Sequence, residues 1–342
     1  MKFGIINIFP PAHAALDNMR LAERLDFDTF WVTDSHVIWN ECYSTLGWLV
    51  GQRRSDRLQL GTMVTNPVSR DPLVVASALA TLQELSGGRM MCGIGRGDSS
   101  VRVLKRPPGS VKAFDAAASM IRTLTHGGPV EIEGVTAQLE WVTSPGVPLY
   151  VAAYGPRMLE LAGRIGDGVI IECADPHYIT WALERVHRGA RAAGKDHKDL
   201  KVISTTATFV ADDLAVARNQ VRSFGAMVGN HVAEVLRNNG QGSLPPELEA
   251  IIADRPEYDY LQHIKSDTHH SRYVADDVID RLCIVGPPER CADRIRTLAD
   301  LGVTHVNFYA QTDNYGAQME IYGREIIPEL RSELSANSSA PI

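Results

Sequence analysis

Along almost the whole chain, short runs of β-branched and aromatic residues alternate with longer stretches of helical periodicity, and this alternation limits the possible folds more than anything else. Residues 3–9, 29–33, 58–65, 90–94, 149–153, 169–172, 202–210 and 305–309 each read as a strand. Most are apolar at nearly every position, the pattern of parallel strands buried on both faces. Between them, residues 14–25 carry Ala15, Leu16, Met19, Ala22 and Leu25 at helical spacing. Residues 72–85 open with proline and stop at Gly87-Gly88, and residues 288–301 stop at Gly302. Eight strands with intervening helices predict an α/β chain folded as a (β/α)8 TIM barrel. A doubly wound open sheet is the alternative.

Two stretches exceed a minimal barrel. Residues 125–144, with Gly127-Gly128-Pro129 and alternating Val130, Ile132 and Val135, read as a small hairpin. Residues 226–278 read as an insertion, helical at 232–236, then broken by Pro245-Pro246 and followed by a polar aromatic run. An insertion of this length sits over the mouth of a barrel and carries substrate contacts. The chain therefore reads as one domain over residues 1–334 with a flexible tail at 335–342.

Composition narrows the partners. Of 342 residues, 34 are Lys or Arg and 41 are Asp or Glu, a net charge of −7, which lacks the basic footprint of a nucleic-acid or anionic-membrane binder. The five cysteines (Cys42, Cys92, Cys173, Cys283, Cys291) form no CxxC pair, so scattered thiols in a reducing compartment are expected. The first ten residues lack the apolar core of a secretory signal, and the longest apolar-rich stretch, 72–82, is far short of a membrane span. A cytoplasmic location is the expectation.

Three strand ends carry the chemistry, because barrel enzymes draw catalytic groups from there. The first is Thr33-Asp34-Ser35-His36-Val37-Ile38-Trp39. It offers an acid and an imidazole for proton transfer and an indole as a flat wall for a conjugated ring. A helix-capping role for Asp34 or Ser35, with His36 on the surface, is the plainer alternative. The second is Thr62-Met63-Val64-Thr65-Asn66-Pro67, where Asn66 can donate into the mouth. The third is Gly93-Ile94-Gly95-Arg96-Gly97-Asp98, whose glycines let backbone N–H groups approach a ligand. Asp98 stands where a dinucleotide fingerprint would need its last glycine, so that motif is not met. Tyr154-Gly155-Pro156-Arg157 follows a strand and opens a helix, a place where free N–H groups and the cation of Arg157 favour an anion, with Arg96 as a second cation. Gly286-Pro287-Pro288-Glu289-Arg290 opens a helix in the same way. In the insertion, Tyr260 and His263 read as substrate-facing lid residues. With His269 and His270 they lack metal-ligand spacing, so no metal is expected.

Taken together, these segments, with Leu85-Ser86-Gly87-Gly88-Arg89, Val151-Ala152-Ala153 and Ile284-Val285, resemble the bacterial luciferase-like oxidoreductases. Among these they are most similar to the methylenetetrahydromethanopterin reductase branch, which uses the deazaflavin F420. The resemblance spans nearly the whole chain. It implies a TIM barrel holding a flavin-type ring at its C-terminal mouth, with a non-prolyl cis peptide at Met63–Val64 behind the ring. It implies cofactor contacts from Thr62, Met63, Val64, Asn66, Gly95, Arg96, Gly97, Tyr154, Gly155 and Arg157. Asp98 falls where relatives place an acid beside the ring, making it the expected proton donor, with His36 and Asp34 as the other catalytic candidates and Trp39, Tyr260 and His263 as substrate contacts. The implied reaction is F420-dependent hydride transfer to or from a small organic substrate. One alternative is an FMN-dependent monooxygenase fed by a separate reductase, and another is a non-catalytic flavin-binding protein. A homodimer is implied as well, with Trp48-Leu49-Val50 as a possible contact.

Overall fold

In the computed structural model, residues 1–8, 12–250, 256–263, 265, 268–310 and 314–338 are described. Eight strands lie in parallel: β1 (Lys2–Asn7), β2 (Thr29–Val32), β3 (Gln59–Thr65), β4 (Met90–Ile94), β5 (Leu149–Ala152), β6 (Gly168–Ile171), β7 (Lys201–Val210) and β8 (His305–Tyr309). Each pairs with the next, and β8 pairs with β1 through Lys2–His305 to Ile6–Tyr309, so the sheet closes on itself. Closure excludes the open-sheet alternative. The expected strands are all present with ends moved by one or two residues; Phe9, at the end of the first, lies outside the described residues.

The barrel interior is packed rather than hollow. Trp31 is fully buried and donates from its indole nitrogen to Thr29 Oγ1 at 2.9 Å. Room for it exists because residue 61 is glycine: a Cβ there would stand 2.6 Å from the indole ring. Outside, helices follow most strands and are capped as the sequence suggests. Asp71 accepts from Leu73 N ahead of the Pro72–Leu85 helix, and Asp175 accepts from Tyr178 N ahead of the Pro176–Ala192 helix. The small hairpin forms as expected, Val130–Ile132 pairing antiparallel with Val135–Ala137.

β7 is longer than the barrel needs. Residues 201–204 pair with β6 and 203–207 with β8, while 208–210 run on to pair with a short outer strand, Ile284–Gly286. Thr206 and Thr208 Oγ1 donate to the carbonyls of Leu282 and Ile284, both at 2.8 Å. The insertion between them starts earlier than expected: a single helix, Leu214–Asn239, covers what the sequence suggests as 232–236 only. Short turns at Pro246–Glu249 and Tyr260–Gln262 and the Asp276–Leu282 helix complete it, with 251–255 outside the described residues. At the other end of the chain, the Ile327–Ser338 helix runs past the expected boundary at 334. No described helix is long and apolar enough to cross a membrane.

Candidate active site

The strands' carboxyl ends and the insertion helix enclose a cleft of about 800 Å³. Its floor is the end of β3, where the Met63–Val64 peptide is cis and the register with β4 shifts between Thr62 and Thr65. Gly95 faces this floor; a Cβ there would meet Val64 at 3.2 Å, so a side chain would crowd the space above the bond. Gly97 has φ +91° and is followed by Asp98, which glycine's freedom at positive φ permits.

Asp98 is the centre of the polar network. Its Oδ2 lies 3.0 Å from His231 Nε2, and its Oδ1 accepts from Tyr260 Oη at 3.0 Å and lies 3.2 Å from Arg102 Nε. Burial alone would raise its carboxyl, but the charge and hydrogen bond of His231, joined by His263 and Arg102, outweigh this and hold it well below the usual carboxylate range. For His231 the balance is reversed. Burial would lower the imidazole, yet Asp98, then Glu172 and Glu234, push it up to about 9. The proton of this pair therefore sits on His231 at neutral pH. Asp98, the residue expected as proton donor, thus stands in the structure as the carboxylate partner of His231 Nε2.

Glu172, one residue beyond β6, forms the other side. Its Oε1 and Oε2 accept from Tyr309 and Tyr154 hydroxyls, both at 2.8 Å, and Oε2 lies 3.8 Å from His231 Nδ1. The Tyr154 ring sits 4.5 Å from the imidazole. Burial and Glu172 raise both phenols well above their ordinary value, so they remain hydrogen-bond donors.

The remaining expected residues divide. Asp34 lines the cleft, but it accepts from Thr65 Oγ1 at 2.7 Å and from Arg70 Nε and Nη2 at 3.0 and 2.8 Å, so both oxygens are occupied. His36 is exposed on the turn after β2 and is not among the residues lining the cleft, because the turn closed by the Ile38 and Trp39 N–H groups on Ser35 O carries it outside and returns Trp39 to the cleft. Thr62 is buried below the floor and donates to Gly93 O at 2.8 Å. Asn66 lines the cleft and donates to Ser100 Oγ at 2.9 Å. Trp39 and His263 meet across it with ring centres 5.8 Å apart. His263 pairs with Tyr258 Oη at 2.8 Å, and burial lowers it to about 4, so it stays neutral. Tyr260 does not line the cleft; its hydroxyl is spent on Asp98. No group of metal-ligating side chains occurs among the described residues.

At the outer end, Gly155 opens the Pro156–Ile165 helix without a side-chain cap, leaving N–H groups for an anion. Arg157 and, on the facing helix end, Arg237 line this end, Lys112 lines the cleft as well, and none of the three forms an ion pair among the described residues, whereas Arg96 and Arg102 are engaged by Glu234. Sequence reasoning missed His231, Glu172, Tyr309, Lys112 and Arg237. Glu172 was findable, since it is the acid ending an apolar barrel strand. His231 carries no spacing signal, being 133 residues from Asp98.

Comparison with known proteins fits this geometry. The chain is 32% identical over 344 residues to 5,10-methylenetetrahydromethanopterin reductase of Archaeoglobus fulgidus, covering 97% of this chain and all of the relative. It is 30% identical to the F420-dependent glucose-6-phosphate dehydrogenase of Beutenbergia cavernae, with 91% of each chain covered. The crystal structure of the coenzyme F420-dependent tetrahydromethanopterin reductase of Methanopyrus kandleri superposes with a TM-score of 0.75 at 24% identity, covering 96% of this chain and 99% of that one. The family model for luciferase-like monooxygenases matches residues 4–305, and the chain belongs to that family of oxidoreductases.

Proposed function

We propose that the chain is an F420-dependent oxidoreductase that moves a hydride between the deazaflavin and a small organic substrate. The observation that carries this reading is the split polarity of the cleft. Arg157 and Arg237, without acidic partners among the described residues, and an uncapped helix N-terminus stand at one end, and a charged histidine between two carboxylates stands at the other. An anionic cofactor tail suits the first end and proton transfer the second. The volume is that of a site for a large planar ligand. The bare Gly95 above Val64 leaves a flat place against which a ring can lie. Relatives named for F420 support the choice over FMN. When bound, F420 supplies two-electron chemistry; the residues here bind its tail, exclude water and hold the proton.

Fluorescence titration tests the assignment. F420 should quench with a Kd in the micromolar range or below, and FMN should bind more weakly. Arg157→Ala and Arg237→Ala should each weaken F420 about 10-fold, or ~1.4 kcal/mol. Binding of FMN without F420 would reverse the order in favour of a reduced-flavin monooxygenase with a partner reductase. In the same reading the protein works as a homodimer. Support comes from Trp48, Val74 and Leu85, exposed on the neighbouring Cys42–Gln52 and Pro72–Leu85 helices, while Leu49 and Val50 are buried.

A further inference from the structure

We propose that His231 exchanges a proton with the substrate oxygen through Nδ1, and that the substrate is an uncharged alcohol or its ketone. The proposal rests on the hydride-transfer reading above.

The geometry leaves His231 one task. Nε2 is fixed by Asp98, while Nδ1 is buried with no hydrogen-bond partner among the described residues. The nearest acceptor, Glu172 Oε2 at 3.8 Å, is already used by Tyr154. A buried N–H without a partner is costly, and a ligand oxygen in the cleft that His231 lines would complete it. The other acids and imidazoles are engaged. Asp34 is held by Arg70 and Thr65, Asp98 by His231, Tyr260 and Arg102, and His263 by Tyr258. The groups that face His231 are Asp98 and Arg102 from the β4 side, Tyr154 after β5, Glu172 after β6, His263 from the insertion, and Glu234 on its own helix.

Charge sets the substrate class. Around His231 stand Asp98, Glu172 and Glu234, and the two guanidiniums that reach this set are already engaged, Arg102 by Asp98 and Glu234 and Arg96 by Glu234. Arg237 lies six residues further along the same helix, about 9 Å at 1.5 Å per residue, at the end assigned to the cofactor tail. A substrate phosphate at His231 would thus meet carboxylates and no available cation among the described residues. In oxidation, the alcohol's C–H bond breaks and its electron pair leaves with the hydrogen for the deazaflavin, which is reduced. The O–H bond breaks, its proton passes to neutral His231 Nδ1, and the C=O bond forms. Reduction of the ketone runs the same steps backwards, the imidazolium giving its proton to oxygen.

The test loads the full chain with F420 and follows 2-propanol and cyclohexanol oxidation, with glucose 6-phosphate as the charged comparison. Oxidation needs neutral His231, so kcat/KM should rise with pH to a plateau above about 9. His231→Asn should lower kcat 100-fold or more and erase this inflection, while binding F420 within threefold of the wild type. Asp98→Asn should keep the inflection but move it to lower pH, a shift that a purely structural role would not produce. An inflection surviving in His231→Asn would overturn the role of His231. With F420 bound, turnover of glucose 6-phosphate or of neither alcohol overturns the substrate class alone. A wild type that leaves F420 fluorescence unquenched sinks the cofactor reading instead, and this proposal with it.

Discussion

Arg70 shows how one residue supports the mouth without touching its chemistry. Its guanidinium grips Asp34 through two nitrogens, lies 4.8 Å from the Tyr43 ring centre, and reaches Glu41 at 2.6 Å. Because Asp34 is only 1% exposed, Arg70→Ala would strand a buried charge, costing roughly 3–5 kcal/mol, visible as a lower urea midpoint. The Asp98–His231 pair gives a pH-dependent signature. His231 is raised to about 9 against an ordinary value of about 6.5. Its contribution to stability is therefore complete below about pH 6.5 and lost as pH rises through 9. Asp98 is lowered, so the same interaction is present above about pH 4 and fades on acidification. Urea midpoints at pH 6 and pH 9.5 should fall further apart for the wild type than for His231→Asn. At this scale the sequence was half legible. Asp34 and Asp98 stood out as acids ending apolar strands, but their roles depend on partners 36 and 133 residues away, which local spacing does not encode.

The elements were most legible where local chemistry and tertiary demand agree. The Pro72–Leu85 helix has Asp71, Pro72 and the Gly87-Gly88 stop, and it forms at those bounds. The Leu214–Asn239 helix was mostly hidden, because Gly225 and Gly229 weaken its propensity. Gly225 is there for packing: a Cβ would come within 2.7 Å of Ile279 and 3.0 Å of Val274. The Pro156–Ile165 and Pro176–Ala192 helices use the same device, Gly189 facing the Glu160 carbonyl and Gly163 the Val186 carbonyl too closely for any side chain. Gly189→Ala should then force the helices apart and destabilise the fold by about 1–3 kcal/mol, measured by denaturant unfolding, despite alanine's better helix propensity.

For the whole molecule, the mostly apolar runs announced parallel strands covered on both faces, but they suit an open doubly wound sheet equally well. It is the pairing of Lys2 with His305 across the length of the chain that closes the ring. What lay beyond reach was how the insertion bends back over the rim, since its contacts with Asp98 join residues 162 positions apart. If the exposed Trp48, Val74 and Leu85 form the dimer face, light scattering should give twice the 37.5 kDa chain mass, and Leu85→Glu should halve it. The overlong seventh strand has a broader consequence. Departure and return of the 214–282 excursion are both tethered to its far end, by pairing to Ile284–Gly286 and by two threonine hydroxyls, while the eight-strand circuit is completed lower down. That arrangement lets the turns beyond the Leu214–Asn239 helix change length without reopening the ring, while the helix that brings His231 to the rim stays anchored at the strand.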